Sequence, residues 1–273
     1  MLFADDAKIY IVIDDINKCV VLQEGLDKLF EWSVKWQLNL AKDKCHILHI
    51  GKIIGNFNYN IDNIALPQCK QTLDLGVTVD HSLRLSCHID NIVNKASARS
   101  ALILRCFKSR EPKLLLKAFD VYVRPVLEYC CQVWNPSYKC DINKIEAVQR
   151  RFTKKMIGFR NLTYGERLSK LNRESLEERR LKADLILVYC SLHEKCAVQF
   201  SLLFVTANSC TRGHSFKLRK PHCNINCRSF SFGCRVIDAW NYLPDYVVSA
   251  SSVQSFKHLL NSVNFSKFLT VYD

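Results

Sequence analysis

Two adjacent carboxylates, Asp5 and Asp6, stand inside an otherwise apolar run near the start of the chain, LFADDAKIY. Charged side chains are seldom placed beside buried ones without a partner. Adjacent carboxylates at a tight turn between strands can jointly bind a hard divalent cation, because magnesium prefers oxygen ligands. Taken alone, such a dipeptide is more typical of a solvated turn, so both interpretations stay open here.

The residues that follow the pair predict a strand and then a helix. Residues 7–14 are β-branched and aromatic with partial alternation, which favours a strand. Apolar residues recur at helical spacing over 17–38, with Asn17 as the expected N-cap. A turn and strand follow over 38–51. Further short strands are expected near residues 57–61, 64–66 and 73–79, which gives a strand–helix–strand layer and a small hairpin unit.

The pattern becomes mostly helical after Leu85. Helices are predicted over residues 88–107, 112–129, 141–160 and 174–193. Pro112 suits the first position of its helix, and Pro125 is expected to kink or end the same helix. Residues 205–235 are rich in Cys, Ser and Asn and look irregular. The chain then closes with a helix, a Leu-Pro turn and a last helix capped by Ser251 or Ser252.

Basic residues are concentrated in the second part of the chain. Residues 1–100 carry a net charge of −1, whereas residues 101–273 carry +14. Such asymmetry favours a polyanionic partner. Phe152, Phe159 and Tyr164 lie among the bases that crowd the helices near residue 150. Bases contact phosphates and aromatic rings stack on unpaired nucleobases, although a basic helix face is more often only solvated.

The fourteen cysteines do not predict a disulfide framework. They are scattered singly, and the chain is too large to need disulfide bonds for stability. This pattern indicates reduced thiols in an intracellular protein. One cluster has enough ligands for a zinc ion: Cys210, His214, His222, Cys223, Cys227 and Cys234. Its spacing is irregular, and we do not expect zinc there. Since no secretion signal or membrane span is predicted, we expect a cytoplasmic or nuclear location, or both.

The segments around and after the Asp pair favour the metal-binding interpretation. Residues 3–6, Phe-Ala-Asp-Asp, resemble the metal-binding hairpin of reverse transcriptases, where the pair follows an aromatic and a small residue in the palm. Residues 38–51 resemble the next palm strand, in which a lysine, here Lys44, precedes a cysteine or threonine. Residues 73–97 contain Leu-Gly-Val and resemble the primer-grip hairpin and thumb entry of non-LTR retrotransposon polymerases.

Two later segments carry a more specific resemblance. Residues 119–158, FDVYVRPVLEYCCQVWNPSYKCDINKIEAVQRRFTKKMIG, resemble the thumb and post-thumb region of jockey-like LINE retrotransposons. Residues 228–260, which include Trp-Asn-x-Leu-Pro, resemble the end of the same proteins. Taken together, the segments identify the chain as similar to the C-terminal part of a jockey-like reverse transcriptase over nearly its whole length.

The resemblance implies a role for each of the residues it covers. Asp5 and Asp6 would help hold Mg²⁺ or Mn²⁺ ions that activate the primer 3′-hydroxyl and stabilise the triphosphate. Lys44 would act on the leaving pyrophosphate as a charge or proton donor. Gly76 would let the backbone approach the primer closely. Nucleic-acid contacts would come from the basic stretch, namely Arg150, Arg151, Lys154, Lys155 and Arg160.

The implied fold class is α+β, with three parts. An incomplete reverse-transcriptase palm with its hairpin would occupy residues 1–84. A helical thumb and basic post-thumb region would cover 85–200, and a Cys-rich segment with C-terminal helices would cover 201–273. The family's fingers and a further catalytic Asp of the palm lie upstream of such a segment and have no counterpart before Phe3.

We therefore expect a fragment of an RNA-directed DNA polymerase that acts on an RNA template with a DNA primer, or on an RNA–DNA hybrid. It would be inactive without the upstream fingers and palm segment. The alternative is a non-catalytic nucleic-acid-binding remnant or domesticated module. This alternative needs only the basic C-terminal part of the chain and no active site.

Overall fold

Short strands precede a long series of helices in this computed structural model, which describes residues 2–4, 6–52, 57–207 and 213–270. The chain divides into two compact units, Met1–Leu83 and Arg84–Asp273. The first unit combines strands with one long helix, and the named elements described in the second are helices. This content agrees with the predicted α+β class. In the described part of the chain, no helix is both long and apolar enough to cross a bilayer.

Pairs of short strands and one helix make up the first unit. Helix α1 spans Asn17–Lys35. The antiparallel pairs are β1 (Leu2–Phe3) with β2 (Asp6–Ala7), β4 (Asn60–Ile61) with β5 (Ile64–Ala65), and β7 (Gln71–Asp74) with β8 (Val77–Asp80). Strand β3 (Ile47–Leu48) runs parallel to β6 (Gln68–Cys69).

One face of α1 covers the core of this unit. The buried residues of that core are Cys19, Leu26, Tyr59, Ile61 and Leu66. Gln23 fixes the helix to the start of β4, because its side-chain amide both donates to the Asn60 carbonyl and accepts from the Asn60 amide, at 2.9 Å each. Burial raises the pKa of the Tyr59 hydroxyl to about 12, so this ring stays neutral in the core.

The start of this unit differs from the sequence prediction. A strand was expected over residues 7–14, yet only Asp6–Ala7 pairs with another strand among the described residues. β-branched side chains favour extended backbone, but a strand also needs a neighbour for its backbone groups. Asn17 does not cap α1 either. The cap position falls on Ile16, and the Asn17 amide instead donates to the Asp15 carboxylate at 2.7 Å.

The second unit contains helices of very different lengths. They are α2 (Ser86–Cys106), α3 (Pro112–Ala118), α4 (Arg124–Glu128), α5 (Cys131–Trp134), α6 (Lys139–Thr153), α7 (Tyr164–Leu171), α8 (Leu176–Leu192), α9 (Phe200–Leu203), α10 (Asn226–Ser229), α11 (Phe232–Arg235), α12 (Ile237–Tyr242), α13 (Asp245–Val248) and α14 (Val253–Leu260). Three of the four helices predicted between residues 88 and 193 are confirmed with shifted ends, as α2, α6 and α8. Ser252 caps α14, which is one of the two alternatives predicted.

Helix α7 was missed by the sequence analysis, although its signal is readable. Thr163 and Glu166 form a capping box, in which the Thr163 hydroxyl accepts from the Glu166 amide at 3.3 Å. The Glu166 carboxylate accepts in return from the Thr163 amide at 2.7 Å. Thr or Ser followed three residues later by Glu is a sequence signature of a helix start. The short length of α7 hid its apolar periodicity.

The helix predicted over residues 112–129 is interrupted. Pro112 occupies the first turn of α3, as predicted. The backbone then widens into a π-helical turn over Phe119–Val123, and α4 follows with Pro125 in its first turn. Proline lacks an amide hydrogen and clashes with the carbonyl four residues earlier in a regular helix. The wide turn accommodates Pro125 and explains the predicted kink.

The C-terminal helices share one core with α8. The buried members of this core include Leu185, Val188, Tyr189, Phe204, Leu218, Val236, Ile237, Trp240, Leu243, Val247, Phe256, Leu260 and Phe265. The ring of Tyr189 stacks on Phe256 with centroids 4.3 Å apart, and its hydroxyl donates to the Ala250 carbonyl at 2.5 Å. The described residues of this last segment, 201–207 and 213–270, therefore pack onto α8. The limits at residues 84 and 200 stay predictions.

A buried carboxylate joins α6 to the start of α8. Glu146 is fully buried and accepts hydrogen bonds from the amides of Leu176 at 3.1 Å and Glu177 at 3.3 Å, and from the Tyr164 hydroxyl. The first amides of a helix have no partner within it, and the helix dipole favours a negative charge there. Burial raises the pKa of Glu146, while the hydrogen bond from Tyr164 and the charge of Arg180 oppose this increase.

A second buried network joins α8 to α5 and α11. Arg180 is fully buried, and its Nε donates to the Asn135 side-chain oxygen at 2.9 Å. The Asn135 amide donates to Asp184 at 3.2 Å. Arg235 approaches the Asp184 carboxylate with Nε at 3.0 Å and Nη2 at 3.1 Å, and donates to the Gln132 carbonyl at 2.7 Å. These polar contacts fix α8 to α11 and to the chain around α5.

Tyr164→Phe is expected to lower the free energy of unfolding by about 1–3 kcal/mol, because a buried carboxylate loses its donor. Urea unfolding followed by circular dichroism measures the change. Tyr122→Phe serves as the matched control, since the exposed Tyr122 ring should give less than about 0.5 kcal/mol. Equal midpoints for the two variants would show that the Glu146 contact adds nothing to stability.

Candidate functional site

Asp6, the described member of the acidic pair, lies in a hairpin. Strands β1 and β2 pair with Leu2 opposite Ala7 and Phe3 opposite Asp6. Ala4 adopts a φ of 52°, in the left-handed region that tight turns use. Asp6 is exposed at the start of β2, whereas Asp5 lies outside the described residues. The predicted turn between two strands is therefore present.

The described residues do not form a magnesium or manganese site. They contain no group of three or more His, Cys, Asp or Glu side chains that could hold a metal ion. Magnesium requires several oxygen ligands in octahedral geometry, and Asp6 offers one carboxylate. Asp74, another acid of the first unit, forms an ion pair with Lys8. No catalytic step follows from this donor set.

Lys44 lies before the strand predicted to contain it. It ends a 3-10 turn over Lys42–Lys44 and is exposed, and β3 begins three residues later. The neighbouring Lys42 is engaged differently, since it pairs with Asp62 and its ammonium lies 4.8 Å from the centroid of the Phe30 ring. Lys44 is the more accessible of these two lysines. Its role towards a pyrophosphate stays a prediction.

The predicted hairpin around Gly76 is confirmed. Strands β7 and β8 pair in register from Gln71 opposite Asp80 to Asp74 opposite Val77. Leu75 and Gly76 form the two-residue loop, with φ of 46° and 85°. Two successive positive φ values are typical of a type I′ turn, whose handedness matches the twist of the strands. Glycine at the second position adopts this conformation without strain. Contact with a primer stays a prediction.

Four of the five predicted nucleic-acid-binding bases are exposed near the end of α6. These are Arg151, Lys154, Lys155 and Arg160, here called the α6 basic surface. None of them forms an ion pair within the described part of the chain. Arg150 differs, because it is half-buried and its guanidinium lies 5.0 Å from the centroid of the Tyr164 ring. The contact of Arg150 with nucleic acid stays a prediction.

The aromatic residues between these bases belong to the core, contrary to the sequence prediction. Phe152 is 1% exposed and packs against Phe119 with ring centroids 5.0 Å apart. Phe159 is 4% exposed, and the ammonium of Lys170 lies 5.3 Å from the centroid of its ring. Tyr164 donates to Glu146. Phe152 and Phe159 are buried, so their rings do not offer free faces for stacking on nucleobases.

Several other bases between residues 148 and 182 are used within the fold. Arg167 is buried and donates to the Leu162 carbonyl at 2.6 Å. Arg173, Arg179 and Lys182 pair with acids from this unit, respectively Asp120, Glu128 and Glu174. The number of basic residues in the sequence therefore overstates the charge available to a polyanion.

The six residues named as enough for a zinc ion form no metal-binding group among those that the structure describes. The sulfurs of Cys223 and Cys234 lie 3.6 Å apart, but Cys227 is exposed and Cys210 is outside the described residues. His214 is buried, and its Nε2 donates to the Trp240 carbonyl at 3.1 Å. Burial lowers the pKa of His214, and the nearby Lys217 adds to this effect. This histidine serves the C-terminal core.

Parts of the chain are similar to RNA-directed DNA polymerases of mobile elements. The polymerase from mobile element jockey of Drosophila funebris is 27% identical over 165 residues, which cover 57% of this chain and 18% of that protein. The probable polymerase from transposon X-element of Drosophila melanogaster is 23% identical over 141 residues, 50% of this chain and 16% of the relative. About half of the chain is thus related to retrotransposon reverse transcriptases.

An uncharacterized protein of Caenorhabditis elegans shows a higher identity over a shorter stretch. It is 32% identical over 111 residues, which cover 40% of this chain and 56% of that protein. The chain therefore spans about half of this relative and less than a fifth of the polymerases. No family model matches the chain, and no solved structure matches it.

The free energy of unfolding is expected to fall as the pH drops below about 6.5, the ordinary histidine pKa. Because the folded pKa of His214 is lowered, the unfolded chain binds more protons in this range. His214→Gln keeps a donor for Trp240 and should reduce the slope by up to about 1.4 kcal/mol per pH unit. Urea titrations between pH 7 and pH 5 measure both slopes, and identical slopes would contradict the prediction.

Proposed function

We propose that the chain is the downstream part of a jockey-like RNA-directed DNA polymerase, whose helical unit contacts nucleic acid as a thumb does. The partial similarity to jockey and X-element polymerases supports this assignment. The main structural support is the α6 basic surface, which has no ion pairs within the described residues. Arg151 lies in the last turn of α6, and Lys154 and Lys155 follow directly in the turn that ends this helix.

The contact proposed for this surface is with the phosphate backbone of an RNA template, a DNA primer or their hybrid. Lysine and arginine neutralise phosphates and release condensed counterions, which gives affinity without sequence preference. Phe152 and Phe159 are buried and cannot stack on nucleobases. The proposed interface therefore recognises the charge and shape of the nucleic-acid backbone. Gly76 is proposed to bring the backbone of its hairpin close to the primer.

The acidic hairpin is proposed to supply part of a two-metal site. Asp5 and Asp6 would be two of its carboxylates, and a further carboxylate would come from another palm strand. Two metal ions about 4 Å apart stabilise the attacking and leaving oxygens of phosphoryl transfer. Lys44, exposed before β3, would act on the leaving pyrophosphate. The chain alone does not complete such a site.

Replacing Arg151, Lys154, Lys155 and Arg160 together by Gln is expected to weaken RNA–DNA hybrid binding and to flatten its salt dependence. Four phosphate contacts contribute a slope of about 3–4 in log Kd against log salt. Fluorescence anisotropy with a labelled hybrid at several salt concentrations measures the slope. Thermal unfolding should be nearly unchanged, because the four side chains are exposed.

The matched control removes the same charge elsewhere, by replacing Arg105, Lys108, Lys113 and Lys117 with Gln. These side chains are also exposed. If both quadruple variants reduce the slope equally, binding follows net charge and the α6 basic surface has no special role. A slope retained by the control and lost by the α6 variant supports the proposal.

The purified chain is expected to incorporate no nucleotide on a primed RNA template with Mg²⁺. A chimera that joins the fingers and upstream palm of the jockey polymerase to this chain should extend the primer. In that chimera, Asp5→Asn with Asp6→Asn should lower the rate by at least about a hundredfold. Primer extension on a gel measures both, and full activity of the double variant would exclude the metal role.

The second candidate function is nucleic-acid binding without catalysis. The observation that favours it is the basic helical unit, which carries exposed bases while the described residues gather no metal-binding group. The chimera separates the two candidates. Restored polymerisation favours an inherited polymerase part, whereas hybrid binding together with a folded but inactive chimera favours the binding module.

A further inference from the structure

Two cysteine side chains meet in the C-terminal part of the helical unit. The sulfurs of Cys223 and Cys234 lie 3.6 Å apart, and both thiols are free. A disulfide brings two sulfurs to about 2 Å, so each sulfur would have to move by less than about 1 Å. Rotation of a cysteine side chain between its staggered positions displaces the sulfur by more than this distance. The two thiols are therefore within reach of a covalent bond.

Both cysteines are held close to α12. In the segment that leads to the first of them, Asn241 binds the backbone of Leu218 twice. Its side-chain oxygen accepts from the Leu218 amide and its side-chain amide donates to the Leu218 carbonyl, at 2.8 Å each. Lys220 in the same segment pairs with Asp238. The second cysteine lies on α11, and α12 begins two residues after α11 ends.

Helix α11 is in turn fixed to the core. Arg235, the residue after Cys234, donates from Nε to the Asp184 carboxylate at 3.0 Å. The ring of Phe232 packs edge-on against Phe204 with centroids 5.6 Å apart. These contacts come from outside the loop that joins the two cysteines, so the position of the Cys234 sulfur does not depend on that loop.

The two thiols differ in their access to solvent. Cys234 is 4% exposed, whereas Cys223 is partly exposed and its neighbour His222 is fully at the surface. A dissolved oxidant therefore meets Cys223 first, and Cys234 needs no access because it reacts with Cys223 within the protein. Partial burial and the hydrogen bond with the Cys234 sulfur raise the pKa of Cys223, while the charge of Arg228 opposes this increase. Since the thiolate is the attacking species, the reaction is faster at mildly alkaline pH.

We propose that Cys223 and Cys234 form a redox-modification site, which small disulfides of the glutathione class oxidise to an intramolecular disulfide. The Cys223 thiolate attacks one sulfur of oxidised glutathione, forms a mixed disulfide and releases one glutathione thiolate. Cys234 then attacks the Cys223 sulfur, and its proton passes to the departing glutathione sulfur. The protein loses two electrons and two protons in all, and oxidised glutathione is reduced to two molecules of glutathione. The proposal goes beyond the polymerase assignment and does not depend on it.

The experiment uses trypsin, because it cleaves after Arg228, between the two cysteines. Cys223 then lies in the peptide of residues 220–228 and Cys234 in the peptide of residues 229–235. The folded full chain is incubated with oxidised glutathione at mildly alkaline pH, and the remaining thiols are blocked with N-ethylmaleimide. Mass spectrometry of the unreduced digest should show the two peptides joined by one disulfide. Dithiothreitol should separate them.

Cys227 provides the matched control, since it is exposed and lies in the same tryptic peptide as Cys223. Cys227→Ser should retain the joined peptides, whereas Cys223→Ser should lose them. Cys234→Ser should stop at the mixed disulfide and carry glutathione on Cys223, with circular dichroism as the check that this variant is folded. If it unfolds, the comparison of Cys223→Ser with Cys227→Ser still decides the outcome.

Two results overturn the proposal. The first is the absence of the joined peptides in the unmodified chain, with glutathione on the exposed Cys227 as the sign that the oxidant was effective. The second is a joined pair that Cys227→Ser loses and Cys223→Ser keeps, because Cys227 is then the partner of Cys234. Binding of an RNA–DNA hybrid is not part of this readout, so failure of the proposed nucleic-acid contact and failure of this site are distinguishable.

Discussion

The helical unit depends on one buried carboxylate at the start of one helix. Glu146 replaces the water that would otherwise satisfy the first amides of α8, and so it sets the position of that helix against α6. A charge in this place is tolerated because helix amides and the Tyr164 hydroxyl surround it. The C-terminal core packs on the far part of α8, so its placement follows from the same contact.

Patterns with a local physical origin were read correctly from the sequence. Apolar spacing located the long helices, Pro112 marked a helix start, and the Leu75–Gly76 step marked a hairpin. The prediction of a strand over residues 7–14 was wrong, because a strand requires a partner and no local pattern specifies one. The exposure of the charged side chains was predicted least well. Which of many bases is exposed depends on tertiary pairs such as Arg173 with Asp120.

The features of the candidate site also divide into those with a local origin and those that depend on tertiary contacts. The hairpin around the acidic pair and the turn at Gly76 are local features, and sequence sufficed to predict them. The buried network around Arg180 is assembled from α8, α11 and the segment that follows α5, and its charge balance emerges only when Asp184 meets Arg235. In the sequence, the run of acids and bases that opens α8 looks like an ordinary solvated helix face.

The π-helical turn over Phe119–Val123 has a consequence for related chains. Each residue advances an α-helix by about 100°, and a π turn holds one residue more than an α turn. That extra residue determines which side of α4 faces the core, where Leu127 is buried. In a relative with a regular helix here, one residue must be missing for the core faces to stay aligned. This turn is therefore where a one-residue gap belongs when such chains are aligned.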